Sequence, residues 1–174
     1  MRGLIFFLLA AVSAVGQVGT HYSPAENLEA LDVQELSKAQ HTIDLAAFSL
    51  TDQPIIEALK ADAGRGVVIR IYLDRGELEA ACRGDATCSR SPLHELFGVP
   101  GVTILVKHSK VLMHLKSYIV DGAVVRDGSA NFSPQGEKQQ DNSAVFSPAT
   151  PDFEVKFTAM WTRADNLSVS DALK

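Results

Sequence analysis

His114 and Lys116 stand two residues apart in the segment Met113–Ser133, MHLKSYIVDGAVVRDGSANFS. In an extended chain such neighbours point to the same face. An imidazole beside a fixed ammonium suits an anionic, phosphate-like group. The lysine neutralises charge while the imidazole attacks or transfers a proton. Ser129 and Asn131, again two apart, can supply hydroxyl and amide donors to phosphate oxygens. Asp121 lies between the two pairs, ahead of Gly122, where a structural turn role and a catalytic role both fit. The other histidines, His21, His41, His94 and His108, do not repeat the pattern: none has both a lysine two positions on and an aspartate seven positions on. His108 belongs to the basic run Lys107-His108-Ser109-Lys110, which fits a seat for a polyanion backbone or a solvated turn.

The whole spacing, H-x-K-x4-D-x6-G-S-x-N, resembles the signature of the phospholipase D superfamily at every fixed position. At average residue frequencies it arises by chance in on the order of one chain in 10⁵ or rarer. Tyr22-Ser23-Pro24, Ile43–Thr51 (IDLAAFSLT), the helix after it, and Arg65-Gly66-Val67 through Asp74 look like the small, single-motif bacterial endonucleases of that superfamily. The resemblance implies that His114 is the nucleophile, forming a phosphohistidine, or the general acid. It implies that Lys116 and Asn131 hold the phosphoryl oxygens, that Ser129 assists, and that Asp121 supports. One stretch departs from the family pattern. A downstream N-x-E-N, whose glutamate bonds the histidine ring, is matched only by Gln139-Gln140-Asp141-Asn142. Asp141 is one methylene shorter than glutamate, so an orienting role and an exposed loop carboxylate both remain open.

Composition narrows the classes. The 174 residues are 46% hydrophobic and 21% charged, which suits one globular domain with its own core. A net charge of -5 means that any binding to nucleic acid must use a local basic site. Two cysteines exclude a disulfide scaffold and a four-cysteine zinc site, and no cluster at ligand spacing calls for a metal or other cofactor. Met1-Arg2, the apolar run Leu4–Val12 and Ser13-Ala14 read as a signal peptide over 1–19, cleaved between Ala14 and Thr20. No later stretch has the roughly 20 apolar residues a spanning helix needs. The chain is therefore expected to be secreted or periplasmic, with residues 20–174 as one domain. In such a compartment Cys82 and Cys88 can close a short loop, worth roughly 2 kcal/mol. Asn131-Phe-Ser and Asn166-Leu-Ser match the N-glycosylation pattern, and the first is read as coincidental because it overlaps the motif.

The elements that must position these residues alternate. Glu26–Ala39 reads as a helix, His41–Leu50 as a buried strand, and Thr51-Asp52 with Pro54 as the start of a second helix whose inner face is Ile55, Ile56 and Leu59. Gly64 ends that helix, and Val67–Leu73 is the next strand. This strand–helix–strand order predicts parallel pairing. Ser91-Pro92 opens a short helix over Leu93–Phe97, and Val102–Val106 is a third strand. Val111–Val120 and Ala123–Val125 flank Asp121-Gly122 as a hairpin. Ser143–Phe146 and Glu154–Thr158 read as further strands. The expected fold class is α/β with a mixed sheet flanked by helices, the phospholipase D-type sandwich.

The expectation is a secreted phosphodiesterase, an endonuclease acting without metal on DNA, with RNA left open as a further substrate. Phospholipid headgroups are the alternative substrate, and a silent module that binds phosphorylated polymers is the non-enzymatic alternative. One imidazole cannot attack and protonate the leaving group in the same step. A homodimer with a shared site is therefore expected, as the resemblance to single-motif members also implies.

Overall fold

The computed structural model describes residues 18–109 and 111–174. Residues 1–17 of the expected 1–19 leader lie outside the described residues, and Gly19 opens the first strand. The frame is a seven-stranded mixed sheet in the order β1-β7-β6-β5-β2-β3-β4. Its strands are β1 (Gly19–Ser23), β2 (Thr42–Ala47), β3 (Val68–Leu73), β4 (Val102–Val106), β5 (Lys116–Val120), β6 (Val124–Gly128) and β7 (Asn142–Pro148). β2, β3 and β4 run parallel, as a strand–helix–strand chain requires, and the remaining pairs are antiparallel.

Alternation divides the core. Ile43 and Leu45 of β2, Ile69 and Ile71 of β3, and Tyr118 and Val120 of β5 are buried on the face covered by α1 (Leu28–Leu36) and α2 (Gln53–Gly64). Ile55, Ile56 and Leu59 form the inner face of α2, as expected. Ala46 and Tyr72 point the other way, against Phe157 and Met160 of α5 (Pro151–Trp161). On that face Arg70 forks onto Asp44, at 2.6 and 2.5 Å, and lies over the rings of Phe157 and Trp161.

Several details differ from the sequence reading. Glu154–Thr158 is helix, not strand, and lies inside α5. Its short alternation imitated a strand, but Phe153, Phe157 and Met160 recur at helical spacing behind Pro151 in the first turn. The strand expected from Val111 begins only at Lys116. The preceding stretch is held by a side chain instead, since Met113 N donates to Asp74 Oδ2 at 2.8 Å. Asp52 occupies the N-cap of α2, but its side chain makes no capping bond. Thr51 N and Asp52 N donate to Phe132 O, and both buried Asp52 carboxylate oxygens lack partners. Burial, with the Glu29 carboxylate facing it, pushes Asp52 up to about 6. Finally, α3 (Arg75–Cys82) was not foreseen, although Asp74 caps it by accepting from Glu77 N.

The remaining helices are α4 (Pro134–Lys138), α6 (Val169–Ala172) and, where a short helix was expected, a 3₁₀ helix over Pro92–Leu96. Cys82 and Cys88 form a disulfide, with Cα atoms 4.4 Å apart, that ties the end of α3 to the following loop.

Candidate active site

The strand directions gather one edge of the sheet into a site. Ala47 pairs with both Leu73 and Lys116, Leu73 pairs with Val106, and Gly128 pairs with Ala144. The C-terminal ends of β2, β3, β4 and β6 therefore meet the N-terminal ends of β5 and β7. His114, Lys116, Ser129, Asn131 and Asp141 all belong to that edge.

Lys116 opens β5, and His114 lies in the extended stretch before it. Phe48, just beyond β2, touches both. Its ring meets the His114 ring edge-on at 4.5 Å between centroids, and Lys116 Nζ lies 4.5 Å from its centroid. Phe48 N donates to Leu115 O at 2.8 Å, which fixes the two segments side by side. The His114 ring is exposed, whereas Lys116 is 4% exposed and donates to His114 O at 2.7 Å. Burial lowers the Lys116 pKa from its ordinary value. An open imidazole thus sits beside a partly desolvated ammonium, with an aromatic face behind them.

The second half of the site follows β6. Ser129 is exposed, donates to Asn142 Oδ1 at 3.0 Å, and accepts from Ser143 N at 2.9 Å. The chain can approach β7 this closely because residue 128 is glycine: a Cβ there would come within 2.1 Å of Ser143 O. Gly136 in α4 is required for the same reason, since its Cβ would meet Asn131 O at 2.4 Å. Asn131 Oδ1 is buried and has no hydrogen-bond partner.

Two expected site residues are placed elsewhere or left without contact. Asp121 sits at the opposite end of β5, on the order of 20 Å from His114 by strand rise. It adopts φ 51° in the turn, and its carboxylate accepts from Gln40 N, His41 N and Thr42 N, each at 2.8 Å. This geometry closes the hairpin onto β2. Asp141 is exposed just before β7 and makes no hydrogen bond to His114 among the described residues.

Sequence reasoning missed Phe48, which reads as one more core residue of a strand, and Asp74, whose carboxylate anchors Met113. The Asp74–Glu77 capping spacing was the available signal for the second. Beside the site, a cleft of about 510 Å³ is lined by Asp74, Arg75, Gly76, His108 and Leu112 among others. His21 pairs with Glu26 and His94 with Thr87 O, so neither joins the site. Among the described residues no three His, Cys, Asp or Glu side chains converge as a metal site needs.

A mixed sheet whose hairpin carries an imidazole, an ammonium and a Gly-Ser-x-Asn turn on one edge defines the phospholipase D-like class of proteins. Residues 33–161 match the family described as "Cardiolipin synthase, PLD-like domain", and the chain belongs to that family. A phospholipase D from Rickettsia conorii is 30% identical over 131 residues, covering 74% of this chain and 60% of its own length. The mitochondrial cardiolipin hydrolase of Drosophila melanogaster is 24% identical over 152 residues, 56% of its length. The chain thus spans about three fifths of the curated relatives it matches. Among solved structures, Nuc from Salmonella typhimurium, a phospholipase D family member, superposes with a TM-score of 0.74 at 23% identity. The match covers 87% of this chain and 98% of Nuc, and it carries the fold.

Proposed function

We propose that this chain is a phosphodiesterase that cleaves nucleic acid, with DNA as the favoured strand, through a covalent intermediate on His114. The juxtaposition of His114 and Lys116 against Phe48, beside the Ser129–Asn131 turn, carries the reading. The imidazole attacks phosphorus, forming a P–N bond as the P–O bond to the leaving group breaks. Lys116 and the amide of Asn131 hold the non-bridging oxygens, with the Ser129 hydroxyl beside them. The leaving oxygen takes its proton from a second imidazole, His114 of the partner subunit in a two-fold dimer. Water then attacks phosphorus, its proton passes to that imidazole, and the P–N bond breaks. Diester and water become monoester and alcohol.

Two features support a polynucleotide substrate: the resemblance to small endonucleases, and Arg75 and His108 along the cleft beside the site. Lipid is the second reading, favoured by Val111 and Leu112, which are 72% and 59% exposed directly before His114. A second protein chain would cover the same two residues. Export is part of the proposal. It rests on the apolar leader sequence and on the closed Cys82–Cys88 bridge, which suits an oxidising compartment. No helix among the described residues is long and apolar enough to cross a membrane.

The purified protein, in excess chelator, is to be offered plasmid DNA and vesicles of labelled phospholipid. DNA cleavage that is absent from His114→Asn supports the reading. Headgroup release alone establishes the lipid alternative. Strand or vesicle binding with no product points to a silent binding module, and activity that requires added magnesium overturns the mechanism.

A further inference from the structure

Behind the site lies a buried ion cluster that the reaction above does not use. Arg126, in the middle of β6, is fully buried, and each of its five N–H groups meets an acceptor. Nε donates to Asp32 Oδ1 at 3.1 Å. Nη2 donates to Asp32 Oδ2 at 3.0 Å and Glu137 Oε1 at 3.2 Å. Nη1 donates to two backbone carbonyls, Lys116 O at 2.7 Å and Ala130 O at 3.2 Å. The guanidinium also lies 4.6 Å from the Phe132 ring centroid.

Those two carbonyls belong to the two halves of the site, and strand pairing does not hold the halves together there. The β5–β6 register runs from Val120–Val124 to Tyr118–Arg126 and stops. Beyond it, Lys116 on one side and the Ser129–Asn131 turn on the other diverge, with one Nη1 atom between them. We propose that Arg126 is a positioning residue of the phosphate site: its guanidinium replaces the missing rungs between β5 and β6 and sets the separation of Lys116 from the Ser129–Asn131 turn. The inference rests on the phosphodiesterase reading only for its activity readout.

The charges around the clamp explain how it stays in place. Asp32 from α1 matches the guanidinium and also accepts from Tyr118 Oη at 2.9 Å. Glu137 from α4 faces Arg126, Asp32 and, further off, Asp52. Burial first, and then the Asp32 carboxylate, push Glu137 up to about 9. At neutral pH the cluster therefore holds one cation against one anion, with Glu137 as a neutral acid. Above that pH a second carboxylate competes for the guanidinium and draws it from the two carbonyls.

The test compares wild type with Arg126→Lys, whose ammonium has three donors and no fork. Two readouts apply to the folded protein: kcat and KM on bis(p-nitrophenyl) phosphate, and inorganic phosphate affinity followed by ³¹P NMR. The clamp predicts a fall in kcat of tenfold or more and a several-fold weaker phosphate affinity. A lower melting temperature with both quantities unchanged assigns Arg126 to stability alone and overturns the proposal. If Arg126→Lys does not fold, Glu137→Gln decides through the pH profile. The clamp predicts that the fall in kcat begins at higher pH in the variant than in wild type, leaving only the part due to loss of the Lys116 ammonium, and an identical alkaline limb in both contradicts it. A wild type that cleaves no diester ends the functional reading, and the phosphate affinities then judge the clamp by themselves.

Discussion

At the scale of the residue, the site depends on contacts that do not themselves react. Phe48 presents its face to the Lys116 ammonium and its neighbour His114 to the same ring. A cation–π contact on a desolvated ammonium is worth about 1–2 kcal/mol. Phe48→Leu keeps the apolar volume and removes that face. We expect kcat to fall about tenfold with little change in melting temperature, and an unaltered kcat would assign the ring to packing. Asp121 behaves in the opposite way. Burial works to raise its pKa, but hydrogen bonds from Thr42, Gln40 and His41 backbone N–H groups outweigh it and hold the carboxyl below its ordinary value. That contribution is present at neutral pH and is lost as pH falls through and below the usual carboxylate range. Asp121→Ala should cost roughly 1–3 kcal/mol in thermal or denaturant unfolding at pH 7, and less at pH 3, while leaving kcat of the folded enzyme alone. A large loss of kcat without loss of stability would return Asp121 to the chemistry.

At the scale of the element, the parallel β2–β3–β4 unit and the β5–β6 hairpin were legible because their signals are local. They consist of apolar strands, a crossover helix with Pro54 in its first turn, and Asp121-Gly122, with φ 51° and 62°. His114, Lys116, Ser129 and Asn131 could be singled out as candidates for the same reason, as they lie at or just beyond the ends of two consecutive strands. Phe48, Asp74 and the Asp32–Arg126–Glu137 cluster were not, because they join segments far apart in sequence and each reads alone as an ordinary core or capping residue. The strand assigned to Glu154–Thr158 failed because a five-residue window cannot separate alternation from one turn of helix. The Cys82–Cys88 bridge was read from spacing and export, and its loop length bounds its value at roughly 2 kcal/mol. Replacing both cysteines with serine should lower the melting temperature by a few degrees and leave kcat unchanged, because the loop lies outside the site edge. A matching drop in kcat would show that α3 transmits strain through Asp74 to Met113.

At the scale of the whole molecule, one chain supplies one imidazole and one ammonium of the motif, and the proposed cycle needs two imidazoles. Val111 and Leu112 give the site edge the apolar surface that a second chain would cover. Randomly reassorted mixtures of wild-type and His114→Asn chains should lose activity as the square of the wild-type fraction, so an equal mixture keeps about a quarter. A linear decline to about a half would mean that each chain works alone.

The covalent step is the centre of the account, and it is directly measurable. The protein is to be quenched in alkali during turnover of a ³²P-labelled phosphodiester, then digested and mapped by mass spectrometry. We predict an acid-labile, base-stable phosphoryl group on the peptide containing His114, absent when His114→Asn chains are treated in the same way. Sustained turnover with no label on His114, or label and turnover that persist in His114→Asn, would contradict it.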